Sequence, residues 1–199
     1  MYLITKVRNV WRRILQSWGS TWIKRIMWNE EFAGGRWDHL AETPEDCVYR
    51  YVEKYIQNGD ILDLGCGSGN TGNELDYVTY QSYTGVDISD VAIQKAVSRC
   101  ELSGRILKNR YVQSDITTYL PENTFRVILF RESLNYIPIT KIIGMLKQYQ
   151  RYLDEQGVFI VRLYDRNKHK VIHDLIRNNF EVLEEFLPED ESTVVVVFR

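Results

Sequence analysis

The sequence predicts an α/β protein: a doubly wound, mostly parallel sheet of seven strands with an antiparallel last strand, preceded by an N-terminal helical cap. Three observations carry that prediction. Short apolar runs alternate with helical patterns from residue 61 to residue 177, an order that places parallel strands between two layers of helices. The last two apolar runs, Phe180–Phe186 and Thr193–Phe198, have no helix between them and should pair antiparallel at the sheet's end. Four glycines crowd in directly behind the first run, in ILDLGCGSGNTG from Ile61 to Gly72, where an open α/β sheet binds its ligands.

Taken in order, Val7, Val10, Trp11, Ile14, Leu15, Trp18 and Trp22 form a helical apolar stripe, with a break expected at Gly19-Ser20. Gly34-Gly35 marks a turn. Thr43-Pro44-Glu45-Asp46 reads as a helix start with Thr43 as cap, and Asn58-Gly59 as its stop. Strands are expected at Ile61–Leu64, Tyr83–Val86, Tyr111–Gln113, Arg126–Phe130 and Val158–Leu163. Helices are expected over Asn73–Val78, from a Ser89 cap to Gly104, along Ile142, Leu146, Tyr149 and Leu153, and from about residue 168 to 177. The division is a cap over residues 1–42 and a sheet domain over residues 43–199.

The 199 residues are 44% hydrophobic and 26% charged, the balance of a soluble globular domain. The net charge of −2 gives no global reason to expect nucleic acid. Cys47, Cys66 and Cys100 are odd in number and scattered, so a disulfide framework or zinc site is not expected and a cytoplasmic, reducing setting is. The near-neutral total hides an asymmetry. Met1 to Trp28 holds six basic residues (Lys6, Arg8, Arg12, Arg13, Lys24, Arg25) and no acidic one, leaving a balance of −8 elsewhere. All five tryptophans lie in the first 37 residues. A basic helix packing its stripe on the domain is the plainer reading of this segment. Peripheral contact with an anionic membrane is the sharper one.

From the glycine stretch onward, the order of elements and the motifs resemble class I S-adenosylmethionine-dependent methyltransferases, which share a Rossmann-like sheet. The resemblance implies that Gly65, Cys66, Gly67 and Gly69 wall the methionyl part of the cofactor and that Asp63 helps to hold its amino group. Gly67-Ser68-Gly69-Asn70-Thr71-Gly72 also matches G-x-G-x-x-G, with Asp87 twenty residues after Gly67, so a nicotinamide dinucleotide is the rival ligand. Register argues against it: counted from Gly65, the third glycine of that fingerprint falls on Asn70. Asp87 ends the second strand, where a carboxylate can accept from both ribose hydroxyls. By the resemblance Ile88 packs on the adenine and Asp115-Ile116 reads its edge.

VILFRESLNYIP ends the fourth strand, where the family usually positions the reacting group. Arg131, Glu132, Asn135 and Tyr136 are its polar candidates, with Arg131 in the cofactor set and Glu132 and Tyr136 in the catalytic one. Methyl transfer requires alignment of nucleophile, methyl and sulfur, and a protonated acceptor requires a base, for which Glu132 is best placed. Pairing of Glu132 with a neighbouring cation is the plain alternative. Tyr164 and Asp165 should also reach the crevice, while His169 and His173 read as two solvated histidines and not as a metal site. WNEEFAGGRWDHL, Trp28 to Leu40, resembles a segment that folds over the cofactor in thiopurine, thiol and halide methyltransferases and in bacterial glycan-modifying ones. It implies an apolar lid of Trp28, Phe32 and Trp37, with Arg36 reaching the methionyl carboxylate. The expected activity is methylation of an oxygen or nitrogen on a small molecule, such as a sugar, a glycan precursor or a lipid-linked compound. A non-catalytic cofactor-binding subunit is the alternative.

Overall fold

The computed structural model describes residues 11–40, 43–188 and 193–199. Seven strands form one sheet in the order β3-β2-β1-β4-β5-β7-β6. They are β1 (Asp60–Leu64), β2 (Ser82–Asp87), β3 (Asn109–Gln113), β4 (Phe125–Arg131), β5 (Leu153–Leu163), β6 (Val182–Phe186) and β7 (Val194–Phe198). All neighbours are parallel except β7, which runs antiparallel to both β5 and β6. The chain winds outward from β1 to β3 and then returns to place β4 on the other side of β1. The carboxyl ends of β1 and β4 therefore flank a crevice at the point where the winding reverses.

Strand alternation divides the core into two layers. Leu62, Leu64, Ile128, Phe130, Phe159 and Val161 pack toward Ile142, Leu146 and Tyr149 of α6 (Ile139–Gln150) and Ile172 and Ile176 of α7 (Lys170–Asn179). Ile61, Val127, Leu129 and Ile160 face Val48, Val52 and Ile56 of α3 (Val48–Ile56). The central stretches of β1, β4, β5 and β7 are buried on both faces, so they read as continuous apolar runs.

The cap consists of α1, a helical stretch over residues 11–18, and α2 (Thr21–Ala33), followed by a 3-10 turn at Asp38–Leu40. The break at Gly19-Ser20 has a steric cause. A Cβ on Gly19 would lie 2.4 Å from the Leu15 carbonyl oxygen, and the Ser20 hydroxyl caps α2 by accepting from the Ile23 amide. Val7 and Val10 of the predicted stripe lie outside the described residues, as does most of the predicted turn between β6 and β7.

Local expectations fail at several points. Thr43 caps nothing: its amide and hydroxyl bond Glu74, and Asp46 instead accepts from the Val48 amide at the start of α3. The end of α3 is a left-handed pair, Gln57 and Asn58, with Gly59 one residue beyond. The helix behind the glycine loop, α4 (Asn70–Glu74), starts three residues earlier than expected and spans little more than one turn. Leu153 belongs to β5, not to α6. α5 (Asp90–Leu102) follows the prediction, with the Ser89 hydroxyl accepting from the Ala92 amide.

Candidate active site

The crevice opens into a cavity of about 660 Å3, lined from both the sheet and the cap. Its size is ordinary for a small-molecule site. Asp63, Gly65, Cys66, Gly67, Asp87, Ile88, Asp115, Ile116, Arg131, Glu132, Tyr136, Trp28, Phe32, Arg36 and Trp37 all line it, while Gly69 and Asp165 do not.

The glycines divide by role. Gly65, Gly67 and Gly69 all have φ between +54° and +87°, which costs glycine least. A Cβ on Gly65 would sit 2.3 Å from the Ser133 Cβ, and one on Gly69 2.9 Å from both Ala96 and the Tyr111 hydroxyl. Protein packs where a Cβ would stand at those two positions, which is a reason for glycine separate from any contact with a ligand. At Gly67 the nearest atom to an added Cβ is Phe32 Cζ at 3.4 Å, from the aromatic cover. Asn70 stands where the dinucleotide fingerprint wants its third glycine, buried and bonded to Arg99 at 2.7 Å.

Asp63 is 1% exposed; the Tyr83 hydroxyl donates to its Oδ2 at 2.6 Å, while Oδ1 has no partner. Burial pushes this carboxyl up to about 6. Asp87 accepts from the Gly67 amide at 3.0 Å and the Ser89 amide at 2.8 Å, and burial raises it to about 6 as well. Asp115 is already engaged: Lys24 (3.1 Å) and Thr21 (3.3 Å) from the cap hold Oδ2, and the Thr117 amide and hydroxyl hold Oδ1. Burial opposes ionisation there, but the Thr117 bonds and Lys24 outweigh it and keep the carboxyl below its usual value.

At the end of β4, Arg131 donates to Asp46 (2.7 and 3.1 Å) and Thr43 (2.7 Å), and Arg162 of β5 lies 3.1 Å from the same Asp46. Burial pushes Asp46 up, and the two guanidiniums together hold it below its ordinary value. Arg162 also pairs with Glu132 Oε1, the pairing anticipated as the plain alternative. Yet Glu132 Oε2 is buried without a partner, and the residue adopts φ +58°, uncommon for a side chain of this kind. Burial, opposed by Arg162, raises its pKa. Asn135 Oδ1 is a second unpartnered acceptor on the same wall, and burial lifts the Tyr136 phenol to about 12.

Over this floor lie Trp28, Phe32 and Trp37, with ring centroids 6.1 to 6.5 Å apart, and Trp28 meets the Tyr136 ring edge-on at 4.7 Å. Glu31, which sequence reasoning missed, organises this cover. It is 4% exposed and draws in Arg12 (2.8 Å), Gln16 (3.0 Å), the Trp37 indole N–H (2.9 Å) and Arg36 (3.8 Å). Arg36 therefore leans on Glu31. Its position between Asn29, whose side chain bonds α5, and cavity-lining Phe32 marks Glu31 as inward, but the sequence shows only one acid of a Glu30-Glu31 pair. Tyr164 reaches the cavity, whereas Asp165 turns back to the Lys168 amide. His169 and His173 are both buried, 5% and 8% exposed, which corrects their reading as solvated; His173 bonds Glu185 at 2.8 Å.

The chain is similar to known proteins along most of its length. It is 26% identical over 121 residues to a 27-O-demethylrifamycin SV methyltransferase of Amycolatopsis mediterranei, a match covering 56% of this chain and 44% of that protein. It is 27% identical over 180 residues to a ribosomal protein L11 methyltransferase of Acetivibrio thermocellus, covering 87% of this chain and 52% of that one. The chain thus spans about half the length of these relatives. In fold it is similar to the N-methyltransferase NodS from Bradyrhizobium japonicum WM9 in complex with S-adenosyl-L-homocysteine, with a TM-score of 0.69 at 17% identity over 88% of this chain and 97% of that one. The family described as "Methyltransferase domain" matches residues 57–193. With glycine loop, switch-point crevice and family match in agreement, the chain belongs to the class I S-adenosylmethionine-dependent methyltransferases.

Proposed function

We propose that the protein methylates an oxygen or nitrogen of a small molecule in this cavity, using S-adenosylmethionine. The observation that carries the reading is a set of unpartnered buried acceptors on one cavity wall: Asp63 Oδ1, Glu132 Oε2 and Asn135 Oδ1. Leaving such atoms unpaired costs about 1–3 kcal/mol each, so a ligand that donates to them recovers that energy on binding.

The residues fit the cofactor. Asp63 Oδ1 would take its ammonium, Arg131 its carboxylate, Gly67 the backbone approach, Asp87 the ribose hydroxyls, and Ile88 and Ile116 the faces of adenine beside Asp115. When bound, S-adenosylmethionine supplies a methyl group on a cationic sulfur. The Trp28, Phe32 and Trp37 cover excludes water and presents aromatic faces that favour a cation. Glu132 takes the acceptor's proton on Oε2 as the acceptor's nitrogen or oxygen gains the methyl, while Arg162 fixes Oε1. Its raised pKa makes it a stronger base than an exposed carboxylate. Tyr136, kept neutral by burial, donates or accepts a hydrogen bond without adding charge. Acceptors named for relatives, a demethylrifamycin and sterols among them, support the small-molecule reading.

Calorimetric titration with S-adenosylhomocysteine, with NAD as control, tests the cofactor; binding of NAD alone would overturn it. Glu132→Gln should bind S-adenosylhomocysteine as the parent does and lose roughly 10²–10⁴-fold in turnover. Equal turnover at every pH would remove Glu132 as base. A binding subunit without catalysis would bind S-adenosylhomocysteine and release none with any acceptor. Membrane contact is a separate proposal, supported by the cap's outer face, where Trp11, Trp18 and Trp22 are each more than 60% exposed; co-sedimentation with anionic liposomes decides it.

A further inference from the structure

The cavity's charges are nearly balanced in number, with five carboxylates on its lining, but they are unevenly paired. Six cationic side chains line it: Arg13, Lys24, Arg36, Arg131, Arg162 and Lys168. Four are matched by acids: Lys24 by Asp115, Arg36 by Glu31, and Arg131 and Arg162 by Asp46. Among the described residues, neither Arg13 nor Lys168 has a carboxylate at ion-pair distance. Arg13 lies 5.9 Å from the centroid of the Tyr136 ring, and the Lys168 ammonium donates to the Tyr164 hydroxyl, a partner that leaves its charge unanswered.

These two cations come from different segments, Arg13 from α1 of the cap and Lys168 from the turn that leads into α7. They converge on His169, which is 5% exposed, meets the Tyr164 ring edge-on at 5.3 Å, and keeps a buried Nε2 without a partner. Burial, reinforced by Lys168 and Arg13, lowers the pKa of His169, so the ring stays neutral. The nearby acid, Asp165, is bonded to the Lys168 backbone amide at 3.0 Å and not to its ammonium.

A ligand that answers both ends of this wall has a hydrogen-bond donor for Glu132 and Asn135 and a negative group for Arg13 and Lys168. We propose that the methyl acceptor is a small molecule bearing a phosphate or carboxylate, which Arg13 and Lys168 grip while its nucleophilic nitrogen or oxygen faces Glu132. This inference rests on the methyltransferase reading of the cavity and deepens it. The two cations select among acceptors and take no part in the bond change. Both can contribute charge-assisted bonds, which are about twice as strong as neutral ones.

The test uses the full chain and two readouts. Labelled methyl incorporation is measured on matched acceptors: an amino sugar, the same sugar phosphorylated, and its uronic acid. The anionic members should exceed the neutral one by about tenfold or more in kcat/KM, and Arg13→Gln and Lys168→Gln should each raise their KM about tenfold. S-adenosylhomocysteine affinity should stay within about twofold, because neither residue touches the cofactor end. Preference for the neutral member, or an unchanged KM in both variants, overturns the proposal. Whichever anion is preferred identifies its chemistry. If no panel member is methylated, titration of the S-adenosylhomocysteine complex with inorganic phosphate and with acetate decides. Saturable binding that the double variant loses supports the subsite, and no binding to the parent protein sinks it. Failure of S-adenosylhomocysteine itself to bind would instead fell the methyltransferase reading.

Discussion

The sheet domain and the cap are held together by different forces. The sheet buries two continuous apolar layers, drawn mainly from β1, β4, β5 and β7. The cap meets the domain mainly through ions and amides. Arg25 makes a two-pronged pair with Asp90 at 2.6 and 2.7 Å, Lys24 reaches Asp115, Asn29 bonds Ser89 and Asp90, and Lys95 returns to Asp38 and the Phe32 carbonyl. Two cations of the basic N-terminal segment, Lys24 and Arg25, thus pair with acids of the domain, while Arg12 pairs with Glu31 inside the cap. One region supplies a rigid frame, the other a cover whose contacts respond to salt and pH.

That contrast breaks most sharply inside the sheet. Phe159→Ala removes a fully buried ring stacked on Phe198 at 5.1 Å and packed near Phe130 and Phe180. It should lower unfolding stability by about 3–5 kcal/mol in a denaturant titration. A loss comparable to that of a surface substitution would mean that the frame is not held by its core.

The same contrast explains what could be read from the sequence. Strands and helices were legible because burial imposes period: Leu62 and Leu64 on one face against Ile61 on the other leave a pattern in the chain. The glycine loop was legible as a motif, though its reasons were not. That Ser133 packs against Gly65, and Ala96 and Tyr111 against Gly69, depends on chain segments far away in sequence. Contacts between charged groups leave no period either. That Lys24 would occupy Asp115, that Arg162 would bind both Asp46 and Glu132, or that Glu31 would gather four partners follows only from how the cap and strand ends meet. The same holds for Arg13 and Lys168, 155 positions apart in the chain and brought to one cavity.

Ligand binding lies between the two regimes. Asp87→Ala should cost about 1.5–3 kcal/mol of S-adenosylhomocysteine affinity by calorimetry, the scale of hydrogen bonds to a charged group. Unchanged affinity in a folded variant would end the ribose assignment. A smaller effect comes from pH. Asp63 and Asp87 both titrate near 6 in the folded protein against an ordinary 3.8. Raised carboxyls cost stability above pH 6, and that cost is relieved as pH falls through 6 toward 4. The proposed ligand contacts need the ionised forms, so affinity should run the other way and weaken by up to about tenfold per carboxyl between pH 6 and 5. Affinity that is flat over this range would show that neither carboxylate meets the ligand in its charged form.

The smallest effect should be found where the two regions touch. Arg25→Ala deletes the Arg25–Asp90 pair on the solvent side of the cap, where water already screens the charges. The denaturation midpoint should stay where it is, because the apolar layers do not involve α2. Amide exchange should separate the regions: protection in α2 falls in the variant, and falls in the parent as salt is raised, while β1, β4 and β5 exchange as before. Exchange read by region is the right observable because local opening of a cover can change greatly without moving the global transition. If salt and Arg25→Ala left α2 as protected as the strands, the cap would have to be held by its aromatic contacts, Trp28 on Tyr136 and Phe32 over Gly67. Cover and frame would then open only together, and access to the cavity would depend on the stability of the whole protein.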